Sequence, residues 1–388
     1  MTEGGRRPAW VEIDLEAVRH NAEAMCRIVA PSQLCAVVKA DAYGHGAAPV
    51  ARAALEGGAT SLAVAIVDEG VELRQAGVEA PILVLSEPSA DAMAEAAARR
   101  LTPTLYSEEG IALARAAAGA GERYPVEVKV DTGMHRVGAD PDRVVDLVRA
   151  VVESDELCLA GLWTHLAVAD EPANGFTAEQ LERFGAARRA VKDAGLPDPE
   201  RVHAANSAGA IAWPASRLDV VRCGIALYGY SPSAAVEPVL RDELARVGAG
   251  PLRPVLSMKA RVAFVRRLGA GERVSYGLQM PLPRPALVAT VPLGYADGVP
   301  RDYFPAGGEV LVNGRRRRLA GTVTMDQLLV DCGDDEVRPG DEVVLIGRQG
   351  AEHLGADEWA ARLGTITYEI VTRIGPRVPR LPVGGGPA

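Results

Sequence analysis

The chain has 388 residues, of which 42 are Lys or Arg and 51 are Asp or Glu, so its formal net charge at pH 7 is −9. This acidic balance disfavours nucleic acid as a partner, because neutralising phosphate groups requires a basic surface. No run of 18 or more apolar residues occurs in the sequence, which excludes a membrane-spanning helix. At about 150 residues per domain, the length predicts two domains.

The cysteines and the N-terminal segment indicate a reducing compartment. The number of cysteines is five, and no two of them lie at Cys-x-x-Cys spacing, which argues against a disulfide framework and against a zinc site. The segment MTEGGRRPAW has two arginines but no apolar run after them, so it lacks the pattern of a signal peptide. The sequence therefore predicts a cytoplasmic protein without a metal site.

The first two thirds of the chain alternate between short apolar runs and Ala-rich, charged segments of helical period. After a strand-like stretch over 9–13 and a helix that begins at Asp14, eight apolar runs follow, at 34–40, 61–66, 81–86, 101–106, 125–130, 159–166, 201–206 and 219–224. Runs that are apolar on both faces are typical of buried parallel strands, and eight of them predict a (β/α)8 TIM-type barrel. An open doubly wound sheet is disfavoured, because no G-x-G-x-x-G follows any strand.

The pattern changes near residue 247. From there, Val-rich segments such as PALVATVPLG and DEVVLIG are separated by Gly, Pro, Asn and Asp, which indicates antiparallel strands joined by turns. The Gly/Pro-rich stretch over 247–254 marks the boundary. We therefore predict a barrel over 14–246 and a mostly antiparallel β domain over 247–388, which the N-terminal strand 9–13 joins.

Polar side chains follow the barrel strands at their carboxyl ends, where barrels keep their active sites. These residues are Lys39, Lys129, His165, Asn206, Ser207 and Arg222. A lysine in this position either extends to solvent or is a desolvated amine of lowered pKa that forms a Schiff base. Spacing alone favours the first interpretation. Taken singly, His165 suits a core histidine, and Lys129 and Arg136 suit ion pairs with Glu127 and Asp131.

The segment around Lys39 carries a resemblance. AVVKADAYGHG, at 36–46, resembles the cofactor-lysine signature of alanine racemases, pyridoxal-phosphate enzymes that consist of a (β/α)8 barrel and a C-terminal β domain. Further blocks occur in the family's order along essentially the whole chain, namely KVDTGMHRVG, THLAVAD, HAANSAG, RCGIALYG, VSYG, VPLGYADG, MDQ and TYEI. The resemblance implies an enzyme that interconverts L- and D-alanine and supplies D-alanine for peptidoglycan. It also implies a homodimer with active sites shared between subunits.

The resemblance also implies a role for each matching residue. Lys39 would hold the cofactor and act as one base, and Tyr276, from the partner subunit, would act as the second. Arg222 would face the pyridine nitrogen, with His165 bridging Arg222 and Tyr276. The phosphate would be held by Tyr43, Ser207, Gly224, Ile225 and Tyr368, and Asn206 would also contact the cofactor. The substrate carboxylate would be bound by Arg136 and the backbone N–H of Met325, and Lys129 would carry a carbamate that positions Arg136. Tyr295 and Asp326 would support the site.

The chemistry of racemisation agrees with two bases, because one proton leaves one face of Cα and another returns to the opposite face. Three alternatives stay open at this point: a racemase of another small amino acid such as serine, a same-fold decarboxylase of basic amino acids, and a non-enzymatic pyridoxal-phosphate carrier. Arg222, where decarboxylases place an acidic residue, argues against the second, and the β domain argues against the third. One departure from the family concerns Thr322, which stands where an arginine of the substrate channel is common.

Overall fold

The computed structural model describes residues 7–119 and 122–384. Their backbone divides into two compact units. The barrel unit contains Ala17–Ala42 and Ala47–Arg253. The β unit contains the described residues up to Glu16, the segment Tyr43–Gly46 and the described residues from Pro254 onward. The chain passes to the β unit at the end of the Gly/Pro-rich stretch 247–254.

The strands of the barrel unit form one parallel sheet. In chain order after β1 (Ala9–Asp14) they are β2 (Gln33–Val37), β3 (Ser61–Val64), β4 (Ile82–Val84), β5 (Thr102–Leu105), β6 (Tyr124–Lys129), β7 (Leu157–Trp163), β8 (Arg201–His203) and β9 (Val220–Cys223). Their order is β8-β7-β6-β5-β4-β3-β2-β9. The backbone N–H of Asp219 donates to Val202 O, and that of Arg222 donates to Ala205 O, so the two end strands also meet.

Helices alternate with these strands, as the 3.6-residue period predicts. They are α1 (Leu15–Val29), α2 (Lys39–Gly44), α3 (Ala47–Glu56), α4 (Val67–Gln75), α5 (Ala90–Ala98), α6 (Glu108–Ala117), α7 (Val144–Val152), α8 (Phe176–Asp193), α9 (Ser207–Ala212) and α10 (Glu237–Arg246). Val126, Val128, Leu162 and Phe184 belong to the fully buried core between strands and helices.

The β unit contains two further sheets. Its remaining elements are β10 (Leu256–Arg261), β11 (Phe264–Leu268), β12 (Ala286–Val291), β13 (Glu309–Val312), β14 (Arg315–Arg318), β15 (Leu328–Gly333), β16 (Glu342–Gln349), β17 (Glu352–Leu354), α11 (Ala356–Leu363), α12 (Thr367–Thr372) and β18 (Arg380–Val383). One sheet has the order β14-β13-β16-β10-β1-β18, with β17 on β16, and the other has the order β11-β12-β15. All pairs are antiparallel except β1 with β18. The predicted fold class, a (β/α)8 barrel followed by a mostly antiparallel β domain, is confirmed.

The Arg-rich strand β14 is the second strand of the hairpin that it forms with β13. Arg316 forms ion pairs with Glu309, Glu352 and Glu358, and Arg315 and Arg317 pair with Asp335. These acidic neighbours offset the charge of Arg315, Arg316 and Arg317. Over 7–119 and 122–384, no helix has the length and apolar character needed to cross a membrane.

Candidate active site

The turn that begins at Lys39 has an unusual backbone. Lys39 is the first residue of α2, and the next four residues, Ala40–Tyr43, have φ between 52° and 55°. Residues other than glycine avoid runs of this left-handed conformation, because Cβ approaches the following carbonyl oxygen. The carboxylate of Glu69 accepts from the backbone N–H of Ala40 at 2.6 Å, and that of Asp41 accepts from Ala47 at 2.7 Å. These bonds hold the strained turn after the first barrel strand.

The amine of Lys39 is partly desolvated. Burial lowers the pKa of Lys39, the nearby charge of Arg136 lowers it further, and Glu69 opposes the shift. A larger fraction of neutral amine follows at a given pH, and the neutral amine is the nucleophilic form. The interpretation of Lys39 as a desolvated amine thus has a physical basis at this position.

Lys129 is the last residue of β6, and its side chain is buried. Burial lowers the pKa of Lys129 to about 7, with Arg136 and Arg222 adding to the shift. The Nζ atom lies 4.6 Å from the ring centroid of Trp163. An amine that is partly neutral near pH 7 differs from the charged surface lysine that an ion-pair cluster requires.

The two carboxylates near Lys129 in the sequence have other partners. Asp131 accepts hydrogen bonds from the backbone N–H groups of Gly133 and His135, and Glu127 lies 2.8 Å from Nε2 of His203. The guanidinium of Arg136 makes no hydrogen bond to any residue over 7–119 and 122–384. Arg136 is therefore an exposed cation that is available to an anionic ligand.

Arg222 is buried and connects to a chain of two further buried side chains. Its Nη1 lies 2.6 Å from Nδ1 of His203, and Nε2 of His203 lies 2.8 Å from Glu127 Oε2. A guanidinium only donates, so Nδ1 of His203 accepts and its Nε2–H donates to Glu127. Burial lowers the pKa of His203, which keeps the imidazole neutral. Burial alone would raise the pKa of Glu127, but His203, Arg201 and Arg222 outweigh it and hold that pKa below its usual value.

The other side of Arg222 reaches His165. Arg222 Nη2 donates to the carbonyl oxygens of Thr164 and Ala204, at 2.8 and 3.1 Å, and lies 3.3 Å from Nδ1 of His165. Burial lowers the pKa of Arg222 to about 10, so the guanidinium stays charged at neutral pH. Burial and the charge of Arg222 lower the pKa of His165 well below its ordinary value. A neutral His165 that accepts at Nδ1 carries its proton on Nε2, where it can donate to an anion.

The polar residues after β8 and β9 lie together. Asn206 caps α9, with its Oδ1 accepting from the backbone N–H of Gly209 at 2.9 Å. The Ser207 Oγ accepts from the backbone N–H of Gly224 at 2.9 Å, and its side chain also lies near the thiol of Cys223. Ile225 starts a one-turn helix, whose first N–H groups have no partner within the turn. A hydroxyl and backbone N–H groups arranged in this way suit a phosphate.

In the β unit, Tyr276 lies in the connection between β11 and β12, and 72% of its surface is exposed. It borders an open hollow of about 310 Å³, which is also lined by Ser275, Thr324, Gln327 and Leu329. A phenol in this position is free to meet a ligand from solvent.

Met325 lies in a turn that a neighbouring segment holds. The backbone N–H groups of Tyr295 and Ala296 donate to the carbonyl oxygens of Thr324 and Met325, both at 3.0 Å. A side chain at Gly294 would overlap those two carbonyl oxygens, so glycine is required there. The turn is thereby fixed while the Met325 side chain stays half exposed.

Asp326 belongs to a group of charged side chains that also supports this turn. Its carboxylate accepts from Arg377 at 2.7 Å. Arg377 also lies 3.4 Å from the carboxylate of Asp297, which is fully buried and paired with Arg7. Sequence reasoning missed Asp297 and Arg377, although an aspartate enclosed in the block GYADG is a residue type that rarely lies buried without a partner.

Tyr43 and Tyr368 also lie in the β unit, where their ring centroids are 6.0 Å apart. Gly44, which follows Tyr43, has a φ of 78°, and a Cβ there would lie 2.7 Å from the carbonyl oxygen of Val371. Glycine thus permits the close approach of the two chain segments that carry the tyrosines.

Three other residues that position the barrel site were missed in the sequence: Glu69, Glu127 and His203. The signal that could have found Glu127 and His203 is their place within apolar strands, because a buried carboxylate and a buried imidazole need partners. The pairing itself joins residues 76 positions apart, which no local pattern specifies.

Known proteins share this organisation. Residues 13–232 match the family model of the alanine racemase N-terminal domain, and residues 255–382 match that of the alanine racemase C-terminal domain. An alanine racemase of Symbiobacterium thermophilum is 46% identical over 97% of this chain and 97% of its own. The crystal structure of alanine racemase from Streptomyces lavendulae has a TM-score of 0.90 at 39% identity and covers 98% of both chains. That of alanine racemase from Bacillus anthracis with bound L-Ala-P has a TM-score of 0.90 at 37% identity, over 98% of this chain and 97% of that one.

The parallel barrel with a lysine turn after its first strand, together with the β unit, defines a two-unit barrel enzyme. The two family models cover most of the chain, and the full-length relatives exceed 35% identity. The chain belongs to the alanine racemase family. The resemblance found in the sequence blocks is thereby confirmed.

Proposed function

We propose that this chain interconverts L- and D-alanine with pyridoxal 5'-phosphate as its cofactor, and that the D-alanine serves peptidoglycan synthesis. Membership of the alanine racemase family supports the activity. The observation that carries the proposal is the desolvated amine of Lys39 in its strained turn, because a neutral lysine amine at a barrel strand end is what an aldehyde cofactor requires.

The residues present fit pyridoxal phosphate. Lys39 offers the amine for the aldehyde, and Arg222 offers a permanent donor for the pyridine nitrogen. The hydroxyl of Ser207 is one possible donor to a phosphate oxygen, and the backbone N–H of Ile225, next to Gly224, is of the kind that binds anions. We further assign phosphate contacts to Tyr43 and Tyr368, and a cofactor contact to Asn206, which caps α9. When bound, the cofactor supplies a conjugated ring that withdraws the electron pair left at Cα.

Arg222 sets the electronic character of the site. A guanidinium does not give up its proton to the ring nitrogen, so the cofactor withdraws electrons less strongly than it would beside an acidic residue. The Glu127–His203 pair holds the guanidinium in place from behind. This arrangement favours prompt return of a proton to Cα over side reactions, which suits a racemase. It also argues against the decarboxylase alternative.

Lys39 and Tyr276 are proposed as the two bases, one for each face of Cα, with Lys39 taking the proton from D-alanine and Tyr276 taking it from L-alanine. Tyrosine has a reference pKa near 10, so it needs a cation to ionise near neutrality. The proton that His165 carries on Nε2, with Arg222 behind Nδ1, can stabilise a phenolate. We propose that Tyr276 of the partner subunit receives this help.

The substrate carboxylate is proposed to bind Arg136 and the backbone N–H of Met325. Arg136 is exposed and has no hydrogen-bond partner over the described residues 7–119 and 122–384, and the turn at Met325 is held by Tyr295, Ala296 and Asp326. A relative from Bacillus anthracis was crystallised with bound L-Ala-P. We propose that Lys129, with its lowered pKa, carries a carbamate that positions Arg136.

The activity is tested with the purified protein and added pyridoxal phosphate. We expect L-alanine to lose its optical activity and D-alanine to accumulate until the two enantiomers are equal. L-Serine, supplied separately at the same concentration, distinguishes the closest alternative. Faster racemisation of serine than of alanine would redirect the proposal to a serine racemase, and release of carbon dioxide would redirect it to a decarboxylase.

We propose a homodimer with shared active sites, located in the cytoplasm. The five cysteines are all free thiols, which supports a reducing compartment. If each site takes Lys39 from one subunit and Tyr276 from its partner, subunit exchange between the impaired variants Lys39→Ala and Tyr276→Phe restores one intact site in each heterodimer. Random pairing of equal amounts then gives about a quarter of the wild-type activity.

The control for this mixing experiment is each variant exchanged with itself, which gains nothing. Exchange is verified with a mass tag on one variant, measured by native mass spectrometry. Heterodimers that form but show no recovered activity would contradict the shared site.

A further inference from the structure

The backbone around Tyr276 is strained on both sides. Ser275 has φ 63° and ψ −177°, a conformation that is essentially confined to glycine. Gly277 follows with φ 78°, and Leu278 has φ 41°. Such a conformation at a serine persists only where surrounding groups hold it.

Two reciprocal hydrogen bonds connect this turn to Thr322. The hydroxyl of Ser275 donates to the carbonyl oxygen of Thr322 at 2.5 Å, and the hydroxyl of Thr322 donates to the carbonyl oxygen of Tyr276 at 2.9 Å. Thr322 is only 4% exposed and both bonds are partly buried, so competition from water is reduced. One bond therefore holds the residue before Tyr276, and the other holds the carbonyl group of Tyr276 itself.

The segment that carries Thr322 approaches the turn closely because its neighbour is glycine. A Cβ at Gly321 would lie 2.7 Å from the carbonyl oxygen of Val274 and 3.0 Å from Cβ of Ser275. Any larger residue would move Thr322 away from the turn. Gly321 therefore makes the two hydrogen bonds of Thr322 possible.

We infer that Thr322 is a positioning residue for Tyr276, and this inference rests on the proposed role of Tyr276 as a base. The phenolic oxygen lies at the far end of the ring, so a small rotation of the backbone moves it by a larger distance. A misplacement of about 1 Å at a reacting group can reduce a rate about 10²-fold. In this chain the threonine hydroxyl thus acts on the backbone of the proposed base, at a position where the family often has an arginine of the substrate channel.

The test compares Thr322→Val, which removes the hydroxyl and keeps the branched shape, with Thr322→Ser, which keeps the hydroxyl. Thr290→Val in β12 is the matched control, because its hydroxyl makes no hydrogen bond to a residue over 7–119 and 122–384. Two quantities are measured on the cofactor-loaded enzyme: amide hydrogen exchange over 275–278 and solvent exchange of the Cα hydrogen of each alanine enantiomer.

We expect Thr322→Val to speed exchange of the Leu278 amide, which donates to the carbonyl oxygen of Ser275 within the turn, about tenfold, the scale of one lost hydrogen bond. Cα exchange of L-alanine, which Tyr276 would serve, should slow about 10- to 10²-fold. Cα exchange of D-alanine, which Lys39 would serve, should change far less. Thr322→Ser should restore both quantities toward wild type, and Thr290→Val should change neither. Ser275→Ala, which removes the reciprocal bond, should loosen the turn in the same way and serves if Thr322→Val does not fold.

Wild-type amide exchange in both Thr322→Val and Ser275→Ala would overturn the inference. Equal slowing of the two enantiomers would overturn it as well, since a general disturbance of the site does not distinguish the faces. Failure of the underlying proposal looks different: Tyr276→Phe would then leave L-alanine exchange unaffected. The amide exchange of Thr322→Val still decides whether Thr322 holds the turn in that case.

Discussion

Replacement of Lys39 by alanine is expected to abolish racemisation and the covalent attachment of pyridoxal phosphate together. Lys39 is the partly desolvated amine after the first barrel strand, and we propose that it both holds the cofactor and acts as a base. The loss of activity should exceed the roughly 10²–10⁴-fold that a positioned acid or base contributes alone. The measurement combines the racemase assay with the visible absorption spectrum of the purified variant.

Chemical mapping sharpens this prediction, because the chain has four lysines: Lys39, Lys129, Lys192 and Lys259. Borohydride reduction of the wild-type enzyme should fix the cofactor to the peptide that contains Lys39, as read by mass spectrometry. Lys192→Ala, at an exposed position of α8, is the control and should keep both the label and the activity. A label on Lys129 in the wild-type enzyme, or an unchanged spectrum in Lys39→Ala, would refute the assignment.

The barrel was predictable from the sequence because buried strands have a characteristic apolar pattern. Strands that are covered on both faces consist of continuous apolar runs. The run at 219–224 contains β9, and the run at 34–40 covers all of β2 except Gln33. Strand order follows from the right-handed βα connection, which places successive strands side by side. The predicted fold class was confirmed for these reasons.

The conformation of the lysine turn was not predictable from local sequence. Ala40, Asp41 and Ala42 favour a right-handed helix or a common turn, yet they adopt the left-handed region. The strain is offset by Glu69, which lies 29 residues beyond Ala40. Only the folded barrel brings that carboxylate to the turn, so no short window of sequence contains the cause.

The electrostatics of the strand ends also required the structure. Lys129 and Arg136 stand near Glu127 and Asp131 in the sequence, which suggested ion pairs. In the barrel, Glu127 instead bonds to His203, and burial lowers the pKa of Lys129 to about 7. Glu127 and Lys129 are two residues apart and point to the same face of β6, but Glu127 bonds to His203 of β8, so proximity in sequence did not determine the pairing.

The role of Thr322 was likewise not predictable from the sequence. The sequence showed only that a threonine stands where arginine is common in the family. The structure places the threonine hydroxyl in a buried bond to Tyr276. Burial and one carbonyl neighbour decide the role of the side chain, and both depend on the approach of two loops.

Replacement of Tyr276 by phenylalanine is expected to separate the two faces of the reaction. The variant keeps Lys39, Arg222 and the proposed phosphate contacts, so cofactor and both enantiomers of alanine should still bind. Tyr276 is the base proposed for L-alanine, and removal of its hydroxyl should slow Cα exchange of L-alanine by the roughly 10²–10⁴-fold that a positioned acid or base contributes. Cα exchange of D-alanine needs only Lys39 and should fall far less.

The measurement must follow exchange rather than net racemisation, because racemisation needs both faces and falls equally in either direction. Each enantiomer is incubated alone in deuterium oxide, and loss of the Cα proton signal is followed by NMR. Tyr303→Phe is unsuitable as a control, since the Tyr303 hydroxyl is a buried donor to Glu309. Tyr106→Phe, a barrel-unit tyrosine that is only partly buried, is the better one and should leave both exchange rates unchanged. If Tyr276→Phe exchanges L- and D-alanine at equally reduced rates, a single base serves both faces, and the pairing of Lys39 with Tyr276 must be replaced by a one-base mechanism.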